Sequence, residues 1–263
     1  MARRALLLLL LAALVMGSSA ARAGPLEEAD SAFAAGLAHY EAKEYQQALD
    51  SWRGVLREGY ASAALFVNLG DAAYRLGELG WAIYYFELAR RRAPADPDIA
   101  SNLALARREA LGTERPAERS ALLDFVASFQ NRWTLAGAVR AATLLAWIAA
   151  GAILLSWLRA SPRLASALRW GALGLAVIAA LLVGTKAFQR SLEPEALVIR
   201  PVSARSEPSR EATVEFRLPA GSPVGLAREA PGWREIVVST SLRGWVEDSE
   251  LARFSAPQVA PGP

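Results

Sequence analysis

The side chains of this chain that are best suited to chemistry are tyrosines and asparagines that recur at a fixed spacing. Tyr40 and Tyr74 lie 34 residues apart, and so do Asn68 and Asn102. An asparagine amide donates and accepts hydrogen bonds, so it can pair with the main chain of a peptide, and a tyrosine adds a flat contact. The alternative is that both asparagines only bond the backbones of neighbouring helices. We predict a partner-binding surface formed by Leu37, Tyr40, Glu41, Asn68, Asp71, Tyr74, Arg75 and Asn102.

The residue types that catalysis usually needs are scarce. The chain has one histidine, His39, and no cysteine, so a histidine cluster for a metal, a thiolate site and a charge-relay triad are not available. We expect His39 to be a packed or half-exposed helix residue. The chain shows no glycine-rich phosphate loop and no basic run typical of nucleic-acid binding. We therefore expect a protein that is not an enzyme, uses no cofactor or metal, and binds no nucleic acid.

The elements that would position these side chains repeat with the same period. Gly36 and Gly70 share one repeat position, where a glycine lets the partner helix approach the backbone closely. The second helix of each unit carries an alanine and, four residues later, a large aromatic residue, so small and bulky side chains should interlock on one face: Ala48 and Trp52, Ala82 and Phe86. A 34-residue period is typical of helix–turn–helix solenoids, which present a surface to a peptide or protein. This region resembles the tetratricopeptide repeat (TPR) family, although an Ala-rich helical pair could arise by chance. The predicted repeat region is 29–110, with units at 29–62 and 63–96 and a partial unit at 97–110.

Three apolar segments indicate a membrane protein. Residues 1–23 have a basic start, a short apolar run and small residues at the end, which predicts a signal peptide, with an uncleaved anchor as the alternative. Segments 135–158 and 170–187 are long enough to span a bilayer as helices. The short basic loop between them, 159–169, is expected to stay in the cytoplasm, so that both flanking regions lie outside it.

Small residues recur at every fourth position of both spans, and we expect these two ladders to face each other in a tight hairpin. Alanine-rich composition alone is the alternative. The ladders are Ala138, Ala142, Ala146 and Ala150 in the first span, and Ala172, Ala176, Ala180 and Gly184 in the second. Before the first span, residues 111–134 read as a linker followed by an amphipathic helix. That helix is expected either in the membrane interface or as a cap on the last repeat.

Beyond the second span the hydrophobic period changes from helical to alternating. Short strands separated by Gly and Pro turns over residues 195–254 predict a small β-barrel, and the order of these signals resembles the bacterial SH3-like family. That resemblance implies a groove for peptides or cell-wall fragments, with Trp233 and Trp245 as candidates, although such tryptophans more often complete the core. The tail 255–263 is expected to be disordered. The predicted fold is thus multi-domain: an all-α TPR solenoid, a two-helix transmembrane hairpin and an all-β SH3-like barrel.

The order of these parts, together with the repeat segment from Ala64 to Gly77, resembles the BatE-type membrane proteins of the Bat (aerotolerance) group. The resemblance implies two passes through the bacterial inner membrane, with both water-facing parts on the periplasmic side. It also implies protein partners, namely membrane proteins with von Willebrand factor A domains and a MoxR-type ATPase system. The expected function is a membrane-anchored adaptor, and the alternative is a cell-wall sensor that binds peptidoglycan through the SH3-like part. Transport is a distant third, because the spans show no polar stripe.

Overall fold

The structure is a computed structural model, and it describes residues 26–112, 134–158, 161–191, 193–239 and 241–255. The predicted signal peptide, most of the joining segment 111–134 and nearly all of the tail lie outside the described residues. Within the described parts, seven α-helices precede a seven-stranded antiparallel sheet.

The first five helices form a packed array in chain order, in which each helix contacts the next. They begin where the sequence supplies caps. The hydroxyl of Ser62 accepts a hydrogen bond from the Leu65 N–H at 3.0 Å, and the carboxylate of Asp96 accepts from two backbone N–H groups, with Pro97 at the first helical position. The helices are α1 (Leu26–Glu41), α2 (Tyr45–Arg57), α3 (Ala63–Arg75), α4 (Leu79–Arg92) and α5 (Pro97–Leu111).

The repeat predicted from the sequence is present in the packing of the first four helices. Gly36 of α1 lies against the ring of Trp52, and Gly70 of α3 lies against the ring of Phe86, so closely that a Cβ atom at either glycine would overlap the ring. The turn between the two helices of each pair also repeats, with a left-handed residue at equivalent positions: Lys43 (φ 64°) and Gly77 (φ 78°). The expected close approach of the partner helix at the glycine is therefore confirmed in both pairs.

Two long apolar helices follow: α6 (Leu135–Leu158, 24 residues) and α7 (Pro162–Ser191, 30 residues), which pack against each other. The first matches the predicted span. The second begins eight residues before the predicted start at Trp170, because Pro162 suits a first helical position and the Ser161 carbonyl accepts a hydrogen bond from the Ala165 N–H at 2.8 Å. Most of the predicted loop 159–169 is therefore the first two turns of α7.

The predicted ladder contact between the two spans is wrong in most of its residues. Of the eight small residues, Ala138 and Ala172 are buried and Ala142 is half-buried, whereas the others are exposed: Ala146, Ala150, Ala176, Ala180 and Gly184. Four residues of an α-helix turn by about 400°, so a strict every-fourth ladder drifts about 40° per step away from a straight contact face. The buried and half-buried positions of α6 instead include a row at alternating spacings of four and three, the pattern of left-handed packing: 138, 142, 145, 149, 152 and 156.

Both helices are long and apolar enough to cross a membrane. Their outer surfaces carry large apolar side chains that the protein itself does not cover. Trp157 and Trp170 expose 75% and 70% of their surface, and they lie at the same end of the pair, next to the contact between the Arg169 guanidinium and the Ser156 hydroxyl. Tryptophan at the end of an apolar stretch is typical of the boundary between lipid and water.

The carboxyl-terminal strands form one antiparallel sheet in the order β3-β2-β6-β5-β4-β1-β7. Its edge strands, β3 and β7, are not paired with each other within the described residues, so the prediction of a closed barrel is wrong. The reason is that the strand β7 edge of the sheet lies against helix α4. The strands are β1 (Ala196–Val198), β2 (Val202–Arg205), β3 (Val214–Leu218), β4 (Pro223–Ala230), β5 (Trp233–Val237), β6 (Arg243–Glu247) and β7 (Leu251–Arg253).

The sheet and the helical array share one hydrophobic core. Gly80 of α4 lies so close to the Ile199 backbone that a Cβ atom there would overlap its carbonyl. The Tyr84 ring stacks on Phe254 with 5.2 Å between centroids, and its hydroxyl donates to the Arg253 carbonyl at 2.9 Å. Such contacts bury every residue of α4 from Gly80 to Ala89, as expected for a helix that is apolar on all sides.

Arg91, near the end of α4, joins three parts of the molecule. Its guanidinium lies 3.9 Å from the centre of the Phe254 ring, donates to the Pro194 carbonyl at 3.0 Å and forms an ion pair with Glu193 at 3.6 Å. Residues 193 and 194 come directly after α7 in the chain. The end of the second apolar helix, the last strand and the helical array therefore meet at one side chain.

Candidate functional site

The odd-numbered helices α1, α3 and α5 present a common surface, which we call the odd-helix face. It is formed by one stripe per helix, at positions that follow each other by four, three and four residues. These positions are exposed in α1, and they are exposed or half-buried in α3 and α5. The stripes are Asp30, Ala34, Leu37 and Glu41 in α1; Ala64, Asn68, Asp71 and Arg75 in α3; and Asp98, Asn102, Leu105 and Glu109 in α5.

Two equivalent tyrosines link the stripes of neighbouring helices. The Tyr40 hydroxyl accepts a hydrogen bond from Arg75 Nε at 3.4 Å, and the Tyr74 hydroxyl donates to Glu109 Oε2 at 2.5 Å. Arg75 and Glu109 occupy the same repeat position, 34 residues apart. The tyrosine therefore bridges to the next repeat in both cases, and its ring faces the core: Tyr40 lies 5.9 Å from Trp52 between ring centroids.

The two asparagines differ in their surroundings. Asn102 donates from Nδ2 to Asp71 Oδ1 at 3.3 Å, so it bonds a side chain of the neighbouring stripe and not a helix backbone. Asp71 precedes Asn102 by 31 residues in the chain. The residue that precedes Asn68 by the same separation is Leu37, whose side chain cannot accept a hydrogen bond. Within the described residues the half-buried Asn68 amide forms no hydrogen bond with another side chain, so its donor and acceptor are available to a ligand.

Asp71 lies at the centre of the odd-helix face and is the most perturbed carboxyl group there. Burial raises the pKa of Asp71 to about 6, and the nearby Arg75 opposes this rise. The hydrogen bond to Glu109 raises the pKa of Tyr74, so that hydroxyl stays protonated and remains a donor. A carboxylate whose charge is destabilised in the free protein is suited to contact a cationic group.

The structure brings together all eight predicted residues on or beside the odd-helix face, with Tyr40 and Tyr74 between the stripes. Glu41, at the end of α1, is exposed and lies at the rim. Sequence reasoning missed Leu105 and Glu109. Adding 34 to Asp71 and to Arg75 identifies both.

His39 lies beside this surface, half-exposed, with Nδ1 2.6 Å from Glu44 Oε2. It therefore pairs with a carboxylate of the following turn. In the parts of the chain that the structure describes, no group of three or more histidine, aspartate or glutamate side chains is placed to hold a metal ion.

The two candidate tryptophans of the sheet lie in different surroundings. Trp245 is buried, with the Arg228 guanidinium 5.5 Å from its ring centre. Trp233 is half-exposed and lies opposite Glu247 of the neighbouring strand. Val246 belongs to the core of the sheet, and adjacent residues of a strand point to opposite faces. Trp245 is therefore buried on the other face, beneath Arg228, and Trp233 stays nearer to the surface.

No model of a known protein family matches the chain, and no curated protein sequence matches it. The function is therefore inferred from the contacts of the chain's own residues.

Proposed function

We propose that this protein is a non-catalytic, membrane-anchored adaptor that binds a protein partner through the odd-helix face. One observation carries the proposal: the sheet packs on α4, on the other side of the array, and among the described residues no element covers the face formed by α1, α3 and α5. In a TPR solenoid, the first helices of successive repeats line the surface that takes the ligand. The odd-helix face provides an unused amide at Asn68, a half-buried carboxylate at Asp71 and an exposed leucine at Leu37.

The anchor is the pair of apolar helices. Because α6 and α7 form a hairpin, both ends that lead to the water-soluble parts lie at one end of the pair. The contacts of Arg91 with Glu193 and Pro194 hold the helical array close to the exit of α7. These contacts support an arrangement in which the repeats and the sheet lie on the same side of the membrane. Our proposal places that side in the periplasm of a bacterium, with the segment between the spans in the cytoplasm.

The proposed partners come from the resemblance to the BatE-type proteins. They are membrane proteins with von Willebrand factor A domains, which act with a MoxR-type ATPase in an envelope complex linked to stress or aerotolerance. A face built from two and a half repeats is small. An adaptor held in the same membrane as its partner needs only a modest affinity, because confinement raises the effective concentration.

The test is site-specific photo-crosslinking in intact membranes. A photoreactive amino acid replaces Leu37 on the odd-helix face or, as the matched control, Gln47 on the exposed outer side of α2. We expect adducts with one or two membrane proteins at position 37, at least about tenfold stronger than at position 47. Mass spectrometry then identifies the partner.

A second arm combines the probe at position 37 with Asn68→Ala and Asn102→Ala, which remove the amides from the face. We expect the adducts to weaken by about tenfold, as the loss of two hydrogen bonds implies. Equal labelling from positions 37 and 47, or adducts that are unchanged by the double substitution, would show that this face does not bind the partner.

A further inference from the structure

The arrangement of charge and apolar surface on the odd-helix face is specific enough to describe the ligand. We propose that this face binds a polyproline-II segment in which one basic side chain lies three residues from an apolar side chain on either side. The basic side chain would meet Asp71, and the apolar ones would meet Leu37 and Leu105. This inference rests on the proposed function and adds the chemistry of the ligand.

The odd-helix face is acidic. Its stripes contain five carboxylates and one cation, and that cation, Arg75, is already bonded to the Tyr40 hydroxyl. A ligand with a lysine or arginine therefore complements the face, whereas an acidic ligand is repelled. The carboxylates are Asp30, Glu41, Asp71, Asp98 and Glu109.

Among these carboxylates Asp71 has the central position and is half-buried, while the others are exposed. It accepts a hydrogen bond from Asn102, and it takes part in no ion pair with another described residue. Arg75 lies near Asp71 without forming an ion pair with it. An ammonium or guanidinium group of a ligand would supply a direct ion pair in a place partly shielded from water, where such a pair is stronger than at an open surface.

Two exposed leucines flank this carboxylate. Leu37 and Leu105 expose 41% and 45% of their surface and occupy the repeat position of Asp71 in the neighbouring helices. The hydrogen bonds from Arg75 to Tyr40 and from Asn102 to Asp71 show that these helices are neighbours. Neighbouring helices lie about 8–10 Å apart, so we expect an apolar, an acidic and an apolar contact at steps of roughly 9 Å.

That step selects the conformation of the ligand. A polyproline-II helix rises about 3.1 Å per residue with three residues per turn, so every third side chain points the same way at intervals of about 9 Å. In a β-strand the third residue points to the opposite side. The main chain of a polyproline-II helix forms no internal hydrogen bonds, so its carbonyl groups can accept from the Asn68 amide.

The test uses a dye-labelled peptide with the sequence Leu-Pro-Pro-Lys-Pro-Pro-Leu and the full-length protein in detergent micelles. Fluorescence anisotropy measures the Kd, and two control peptides carry glutamate or norleucine in place of the lysine. We expect saturable binding of the lysine peptide below about 1 mM and at least about tenfold weaker binding of both controls, the loss expected for a charge-assisted hydrogen bond.

Protein variants show whether the peptide occupies the proposed place. Asp71→Asn retains an oxygen for the hydrogen bond with Asn102 but removes the charge, so the lysine peptide should bind about tenfold more weakly, to the level of the norleucine control. Glu207→Gln makes the same change of charge in the exposed loop after β2 and should leave the Kd unchanged. The pair Leu37→Ala and Leu105→Ala should weaken all three peptides.

No saturable binding, equal binding of the lysine and glutamate peptides, or an unchanged Kd in Asp71→Asn would each overturn this inference. Its failure is distinguishable from that of the proposed function. Adducts at position 37 together with no peptide selectivity would leave the adaptor in place and remove the ligand chemistry. Selective peptide binding without adducts would leave the ligand chemistry and remove the adaptor.

Discussion

Helices α2 and α4 are the second helices of two successive repeats, and they show how one repeat frame can serve two environments. The outward positions of α2 are polar and are exposed or half-buried: Gln46, Gln47, Asp50 and Ser51. The same positions of α4, 34 residues later, are buried against the sheet: Gly80, Trp81, Tyr84 and Tyr85. On the inward side, both helices carry an alanine and an aromatic residue at equivalent positions: Ala48 and Trp52 in α2, and Ala82 and Phe86 in α4.

The comparison separates two roles of the sequence. The inward residues set the position of each second helix against its first helix, and they are shared. The outward residues decide what covers the helix from outside, and they differ. A repeat unit can therefore acquire a second domain as its partner by changing four outward side chains while its internal packing stays the same.

The largest expected effect comes from removing the aromatic ring that docks on α4. In Phe254→Ala, the stacking on Tyr84 and the contact with Arg91 are lost together with a largely buried ring. We expect the free energy of unfolding to fall by about 3–5 kcal/mol. Hydrogen exchange of the full-length protein in detergent should quicken in α4 and stay unchanged in α2. Equal changes in both helices would show that the sheet does not stabilise α4 in particular.

A substitution at a glycine sharpens the same comparison, because the expected effect has opposite signs in the two helices. In Gly80→Ala the new methyl group meets the Ile199 carbonyl, and we expect a loss of about 1–3 kcal/mol. In Gly54→Ala of α2 no atom lies within 4 Å of the new methyl group, and the better helix propensity should add about 1 kcal/mol. The unfolding temperatures of both variants test this expectation. A higher unfolding temperature in both would contradict the close contact between α4 and the sheet.

The pH dependence of stability tests the difference between Asp71 and its repeat equivalent, Leu37. The pKa of Asp71 is about 6 in the folded protein, against an ordinary value of 3.8 for an aspartate exposed to water. Between these values the folded protein holds more protons than the unfolded chain, so stability should fall as the pH rises from about 4 to about 6 and then level off. In Asp71→Asn this contribution disappears.

We therefore expect the unfolding temperature of Asp71→Asn to be a few degrees above that of the parent protein at neutral pH, and the two to converge in acid. Glu207→Gln serves as the control and should follow the parent curve. A lower unfolding temperature for Asp71→Asn at neutral pH would mean that the burial of this carboxylate is not destabilising.

The smallest effect concerns the turns within the two repeats. Lys43 and Gly77 occupy the same left-handed position, and the N–H groups of both donate to the tyrosine carbonyl three residues earlier at 3.0 Å. Because a side chain is disfavoured there, Lys43→Gly should stabilise by about 1 kcal/mol, and Gly77→Ala should destabilise by a similar amount. Lys43→Ala, which removes only the charge, should change little. Chemical denaturation measures all three.

Much of the helical part could be predicted from the sequence, because its signals are local. The starts of α3 and α5 follow from a serine and an aspartate at the capping positions, and the first span follows from composition. The strand β2, Val202 to Arg205, has a weak sequence signal, because three of its four residues are half-buried and only Ala204 is buried. The closed barrel was wrong because the sheet meets a helix from a distant part of the chain, which no local pattern reports.

The site was predictable to the extent that it follows the period. All eight predicted residues lie on or beside the surface, and the pairing of Tyr40 with Arg75 could have been expected from the register. In the described parts of the chain, Asn102 has a side-chain partner and Asn68 has none because one repeat position differs: it is Asp71 next to Asn102 and Leu37 next to Asn68. The docking of the sheet had a signal in the three outward aromatic residues of α4, which a free-standing helical array does not need: Trp81, Tyr84 and Tyr85.

The hydrogen bond from Tyr84 to the Arg253 carbonyl joins residues that are 169 positions apart. During synthesis at the ribosome, the aromatic side of α4 emerges long before the strand that will cover it. Until the last strand is complete, the Tyr84 ring lacks its native contact with Phe254, and contacts of such long range form late in folding. A chain that stops short of Phe254 would leave this side of α4 exposed to water, so the final residues of the sheet complete the core that the helices and the sheet share.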